Sequence, residues 1–156
     1  MTEDARQIDE QLIRDALVSM VPFNGHVGVE VLEAKPGRGV VRLPESEQLR
    51  NHVGTQHAGA LFLAGEAAGG AAFVGSFAAE MGEITFLMRH AEVDYHQLAR
   101  GPITATCEFG DELARVRREL AEEGRSTANV TASLTDGEGR KVCSVTLRYH
   151  VKRQPD

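Results

Sequence analysis

The stretch 51–79, "NHVGTQHAGALFLAGEAAGGAAFVGSFAA", decides how this chain folds. Between residues 57 and 79 it carries one acidic residue, Glu66, and no Lys or Arg. A run that long and that apolar either crosses a membrane or is buried as a core helix. Insertion is disfavoured twice. Most of the run is Ala and Gly, which insert weakly, and a carboxylate near the middle costs roughly 2.5–3.5 kcal/mol on insertion scales. The expectation is a buried helix over about 57–79. Gly59, Gly65, Gly69, Gly70 and Gly75 each cost about 1 kcal/mol relative to Ala within a helix. So many glycines imply that something packs close to the helix backbone, most simply a sheet.

The flanks supply that sheet. Ile8, Leu12, Ile13, Ala16, Leu17 and Met20 recur at helical spacing, which predicts an N-terminal helix over 4–20 ended by Pro22. In "HVGVEVLEAKPGRGVVRL", Val27, Val29 and Val31 alternate, and a Pro-Gly turn at 36–37 leads to Val40–Leu43. That pattern reads as a hairpin. Residues 44–56 are polar and turn-like. Strands are expected over Ile84–His96 and Pro102–Phe109, and a closing hairpin turns at Asp136–Gly139. Between them "GDELARVRRELAEEG" (110–124) reads as an amphipathic helix. Asp111 is its expected N-cap and Leu113, Val116 and Leu120 its apolar face. Arg115–Glu119 and Arg118–Glu122 have i,i+4 spacing, and the charges read as a solvated face. Helices and strands are segregated, so the class is α+β with an antiparallel sheet.

The chain has 156 residues, a length that suits one domain spanning 1–156. Its formal charge of −6 argues against nucleic acid or an anionic membrane as main partner. The two cysteines, Cys107 and Cys143, fall in strand-like segments and form neither a metal-ligand pattern nor a disulfide framework. The start, "MTEDARQIDE", is acidic and polar, unlike a signal peptide, which gives an expectation of a cytoplasmic protein.

Chemistry gathers at 51–66. A helix starting near His57 presents the unpaired N–H groups of Ala58 and Gly59, and these with the helix dipole suit developing negative charge. A thioester or ester carbonyl becoming an oxyanion fits there, and Gly59 keeps the approach open. Glu66 lies nine residues after His57, roughly 13 Å along the axis and half a turn round. One chain therefore cannot bring both to the same small group. Either Glu66 is structural, or it serves the helix start of a second chain across a two-fold axis.

"NHVGTQHAGALFLAGEAAG" resembles the signature of the hotdog-fold acyl-CoA thioesterases, in the branch with the phenylacetyl-CoA and 4-hydroxybenzoyl-CoA enzymes. The matching positions are Asn51, Gly54, Thr55, His57, Gly59 and Glu66. "VDYHQLARGPITA" (93–105) and "GRSTANVTASLTDGEGRKVCSVTLRY" extend the likeness over about 25–151. The resemblance implies a sheet wrapped around the buried helix, and two subunits paired edge to edge with active sites between them, as a dimer or a dimer of dimers. It makes Glu66 the nucleophile or general base and the Ala58 N–H the oxyanion donor. His57 and Asn51 would orient the thioester, and Thr55, Gly59, Tyr95 and His96 would border the substrate. No metal or redox cofactor is implied; coenzyme A enters only as part of the substrate.

Two departures carry consequences. Ala58 replaces the first Gly of the relatives' His-Gly-Gly, which keeps the donor and narrows the space. Many relatives carry a Ser or Thr one turn after the acid or a Ser on the next strand; here those positions are Gly70 and Met88. The second reading is therefore a module that binds acyl thioesters without hydrolysing them. A third is a dehydratase, because His52 lies fourteen residues before Glu66, as in hotdog hydroxyacyl-thioester dehydratases, although their Pro-containing loop is missing. Arg89, Arg100, Arg125, Arg148 and Lys152 are scattered cations available to nucleotide phosphates. "EAAGGAAFVGSF" and Met88 suggest an apolar acyl pocket.

Overall fold

The long apolar run is the α-helix around which everything else is built. The computed structural model describes residues 9–155. Helix α3 (Ala58–Phe77) continues as a 3-10 turn to Glu80. This 23-residue segment is long and apolar enough to cross a membrane, with mean hydropathy 1.4, yet 83% of its most apolar window is buried in the protein. The burying surface is an antiparallel sheet of six strands: β1 (Glu30–Lys35), β2 (Arg38–Leu43), β3 (Ile84–Tyr95), β4 (Ile103–Glu108), β5 (Arg125–Thr135) and β6 (Lys141–Arg153). Their spatial order is β1-β2-β4-β5-β6-β3.

The helix glycines are mostly close approaches. A Cβ on Gly65 would lie 2.5 Å from Val145 Cγ2, one on Gly69 2.5 Å from Leu147 Cδ1, and one on Gly75 2.6 Å from the Ala34 carbonyl carbon. The tightest approach comes from the strand side: a Cβ on Gly39 of β2 would sit 2.2 Å from Ala68 O and 2.4 Å from Ala72 N. Gly59 and Gly70 differ. Gly59 would meet only the His57 ring, and Gly70 nothing within 4 Å.

Helix α1 (Glu10–Met20) begins later than its periodicity suggests, capped by the Asp9 side chain on Gln11 N–H at 2.9 Å. Residues 4–8 of the expected helix lie outside the described residues. Pro22 does not simply end α1; it occupies the first turn of a short second helix, α2 (Pro22–Val27), which closes at Gly28 in the left-handed region, φ 86°. Val27 is thus helical, and the hairpin starts at Glu30. The valine alternation misled because Pro at the start of a helix and Gly just after it outweigh a short strand pattern.

Helix α4 (Glu112–Glu123) buries Val116 and Leu120 as expected. Asp111 precedes it without a side-chain cap bond, since its backbone is already helical rather than extended. The Arg115–Glu119 pair forms at 2.7 Å, and Arg115 also holds Glu112 at 2.7 Å; an Arg118–Glu122 pair is not among the ion pairs of the described residues. The charged side is more than a solvated face. Arg115 donates to Thr127 O, Ser126 donates to Glu119, and Arg117 donates to Ser76 O at the end of α3. Cys107 and Cys143 are both free and buried; burial pushes the Cys107 thiol up to about 12.

Candidate active site

Helix α3 is buried on every side but one. Phe62, Glu66 and Gly70, spaced by four residues, are half-buried between fully buried neighbours. This stripe faces the flank of β3, the last strand of the sheet. Strand β3 hangs from β6 with Met88 opposite Tyr149 and Ala91 opposite Leu147; Arg89, between them, is a bulge. Gly69 packs on Leu147 and Tyr149, and Gly65 on Val145, which β3 pairs with Val93. Glu66, between the two glycines, is therefore level with Met88–Val93. The two ends of this groove are spanned by side chains. Phe86 stacks on Phe73 with centroids 4.0 Å apart, and Tyr95 Oη donates to Ala58 O at 3.0 Å.

The Glu66 carboxylate has no hydrogen bond or ion pair among the described residues, and burial raises its pKa. The Tyr149 hydroxyl donates to the Glu66 backbone carbonyl at 3.4 Å and is itself held protonated by burial and the Glu66 charge. At the start of α3, His57 is the N-cap and its Nδ1 accepts the Gly59 N–H at 2.9 Å. An Nδ1 that accepts this bond carries no proton itself. The Ala58 N–H has no acceptor among the described residues and remains available.

A family model for a domain of unknown function, DUF4442, matches residues 9–151. The chain belongs to the DUF4442 family. Its architecture is the hotdog fold of the thioesterase superfamily, shared with solved structures. PA5026 of Pseudomonas aeruginosa, a protein of unknown function and probable thioesterase, is 25% identical over 92% of this chain and 95% of its own, with a TM-score of 0.81. The E. coli PaaI protein from the phenylacetic acid degradation operon is 14% identical over 94% of each chain, TM-score 0.71. A mutant of the thioesterase SAV0944 of Staphylococcus aureus is 17% identical over 85% of this chain and 99% of its own, TM-score 0.68. Among curated proteins no relative matches the sequence.

In this DUF4442 chain the expected site residues separate into four groups. Glu66, Gly70, Met88 and Tyr95 border the α3–β3 groove, and Ala58, Gly59 and His57 form its N-terminal end. Asn51 and Thr55 do not join them. Asn51 Oδ1 accepts the N–H groups of Val53 and Thr55, while its Nδ2 donates to Thr55 Oγ1 and Gln56 O. All four of its hydrogen-bonding positions are used in its own loop. Thr55 is 3% exposed and bonded within the same loop. Both residues build the loop that delivers the helix start. His96 faces away: its Nε2 pairs with Ser144 Oγ at 2.9 Å on the outer side of the sheet. A Cβ on Gly59 would lie 3.1 Å from His57 Nδ1, so the glycine makes room for the His57 cap. Arg125, Arg148 and Lys152 also belong to the outer face, and His52 is exposed in the loop.

Sequence reasoning missed Gln56 and Tyr149. Gln56 is 5% exposed and its Nε2 ties the loop to Pro44 O and Gly101 O, at 3.0 and 2.9 Å. Tyr149 underlies Glu66. Neither carries a local pattern that distinguishes it; a buried Gln beside the helix start was the one available signal.

Proposed function

We propose that this protein hydrolyses an acyl-CoA or related acyl thioester at a site completed by a second copy of the chain. The observation that carries the reading is Glu66: a half-buried, unpartnered carboxylate in the one open stripe of an otherwise enclosed helix. Such a group is costly without purpose. The second copy is motivated by distance, because Ala58 N–H and Glu66 are eight residues apart on one helix, roughly 12 Å along its axis. Pairing along the exposed β3 edge would bring the helix start of one chain toward the Glu66 of its partner. The named thioesterases among the similar structures support a thioester hydrolase.

In this mechanism Glu66 acts as general base or nucleophile. As base it takes a proton from water, and the hydroxide adds to the thioester carbonyl carbon. The oxygen that becomes negative is held by the partner chain's Ala58 N–H at the positive end of α3. Collapse breaks the C–S bond and gives the carboxylic acid and the thiol. The raised pKa brings Glu66 closer to the operating pH of a base. The working form is a cytoplasmic homodimer, or a dimer of dimers, that takes coenzyme A as part of its substrate. Binding without turnover is favoured by one observation: no hydroxyl replaces the one relatives carry a turn after the acid, where Gly70 leaves open space.

The test is thiol release from a panel of acyl-CoAs by wild type and Glu66→Gln. The expected loss is on the order of 10²–10⁴-fold; undiminished release by the variant would remove the mechanism. Stability should move the other way. A folded-state pKa above the usual carboxylate value means the folded protein holds this proton to higher pH than the unfolded chain. The Glu66 contribution is thus most favourable below the ordinary carboxylate range and declines as pH rises through the raised pKa. Glu66→Gln should remove that decline and raise the melting temperature at neutral pH.

A further inference from the structure

We infer that Tyr95 is a positioning residue: it ties the outer strand to the first turn of α3, so that the seating of β3 fixes the orientation of the Ala58 N–H. The inference rests on the thioesterase reading for its catalytic consequence and on geometry for the tie itself. The start of α3 is otherwise held from loops, through His57 N–H to Leu49 O at 2.8 Å and Gln56 N–H to Ala99 O at 2.9 Å. Both bonds lie upstream of the helix. The Tyr95 Oη donation to Ala58 O is the one hydrogen bond between β3 and α3 among the described residues.

The phenol reaches the helix only because of the bulge. Counting by twos from Ile84, Phe86 and Met88 would place His96 inward and Tyr95 outward. The extra residue at Arg89 reverses the parity, so that Ala91, Val93 and Tyr95 pair with Leu147, Val145 and Cys143, all buried on the helix side. The tyrosine is half exposed, at 50%, and lies at the mouth of the groove. It therefore links three things: the edge on which a second copy would dock, the wall of the groove, and the peptide next to the oxyanion donor. A chain docked on β3 would hold Tyr95, and Tyr95 would hold the helix start in register with the partner's acid.

The experiment compares full-length wild type with Tyr95→Phe, which keeps the ring and deletes the hydroxyl. Two readouts are taken. Amide hydrogen exchange at Leu61 and Phe62, the first helical amides, should speed up about 3–10-fold, the usual worth of one hydrogen bond. Steady-state thiol release should show kcat reduced by about the same factor with KM unchanged. Unchanged exchange overturns the tie. Faster exchange with unchanged kcat, or a rise in KM alone, overturns the positioning role and leaves Tyr95 as a structural prop or a substrate contact. If wild type releases no thiol from any acyl-CoA, the thioesterase reading fails and the catalytic half of this inference fails with it; exchange still decides the tie.

Discussion

The two outer strands of the sheet are treated in opposite ways. Strand β1 is covered by α1, and the cover extends to its hydrogen bonds. Glu10 Oε1 accepts the Ala34 N–H at 3.2 Å, and Arg14 Nη1 donates to Leu32 O at 2.9 Å. Side chains of a helix thus take the place of a missing neighbour strand, one of the ways sheets avoid unwanted pairing. Strand β3 has no such cover among the described residues: it is twelve residues long, and Leu87 is 66% and Met88 39% exposed. The helix repeats the asymmetry. On the β1–β2 flank α3 is in backbone contact through Gly39 and Gly75; on the β3 flank it stands off behind Phe62, Glu66 and Gly70. One flank is sealed for stability. The other leaves an uncovered edge strand beside the open stripe of α3.

The largest effect should come from spoiling the open edge. Arg89 is the bulged residue and has no partner in the β3–β6 register. Proline is tolerated at edge bulges but cannot donate to an incoming strand. Arg89→Pro should leave the fold intact, turn the proposed dimer into monomer in sedimentation velocity, and lower thiol release on the order of 10²-fold or more, as expected when the acid and the oxyanion donor are separated. A variant that stays dimeric and active would place the second copy elsewhere.

On the sealed flank the effect should fall on stability. Gly39→Ala would drive a Cβ into Ala68 O and Ala72 N, both helix backbone with no room to yield. A loss of about 3 kcal/mol or more is expected, read from denaturant unfolding. Opening the covered edge should cost less. Glu10→Ala combined with Arg14→Ala removes two hydrogen bonds, about 1–2 kcal/mol, and should produce concentration-dependent growth past the proposed dimer in light scattering. If assembly is unchanged, the bulk of α1 rather than these two bonds guards β1.

Much of the sealed flank was legible in the sequence. The apolar length of 57–79 and its glycines predict a helix pressed on a sheet, and Gly65, Gly69 and Gly75 are pressed so. What failed was non-local or cryptic. Gly39 reads as part of a hairpin, and nothing near it announces a helix at 2.2 Å. "LMRHAE" contains no glycine to mark a bulge, so alternation alone puts His96 and Tyr95 on the wrong faces. For Asn51 and Thr55 the resemblance suggests site roles, and what no spacing announces is that both are bonded within their own loop. Glu66 was legible for the opposite reason: a charge in an apolar helix has few explanations.

Gly70 tests the open flank most gently. It is a helix-interior glycine with nothing within 4 Å of its missing Cβ, one turn beyond Glu66. If the space beside it exists to hold an acyl group, helix propensity and substrate room pull against each other at this residue. Gly70→Ala should stabilise the protein by up to about 1 kcal/mol, since it restricts the unfolded chain and meets no clash. The same methyl group should raise KM for bulky acyl-CoAs more than for short ones and leave Glu66 chemistry untouched. Gly39→Ala and Gly70→Ala make the same chemical change, and opposite signs in the two melting temperatures would separate the flanks. A destabilising Gly70→Ala would mean that another chain already fills the space, and the groove would belong to the interface rather than to the substrate.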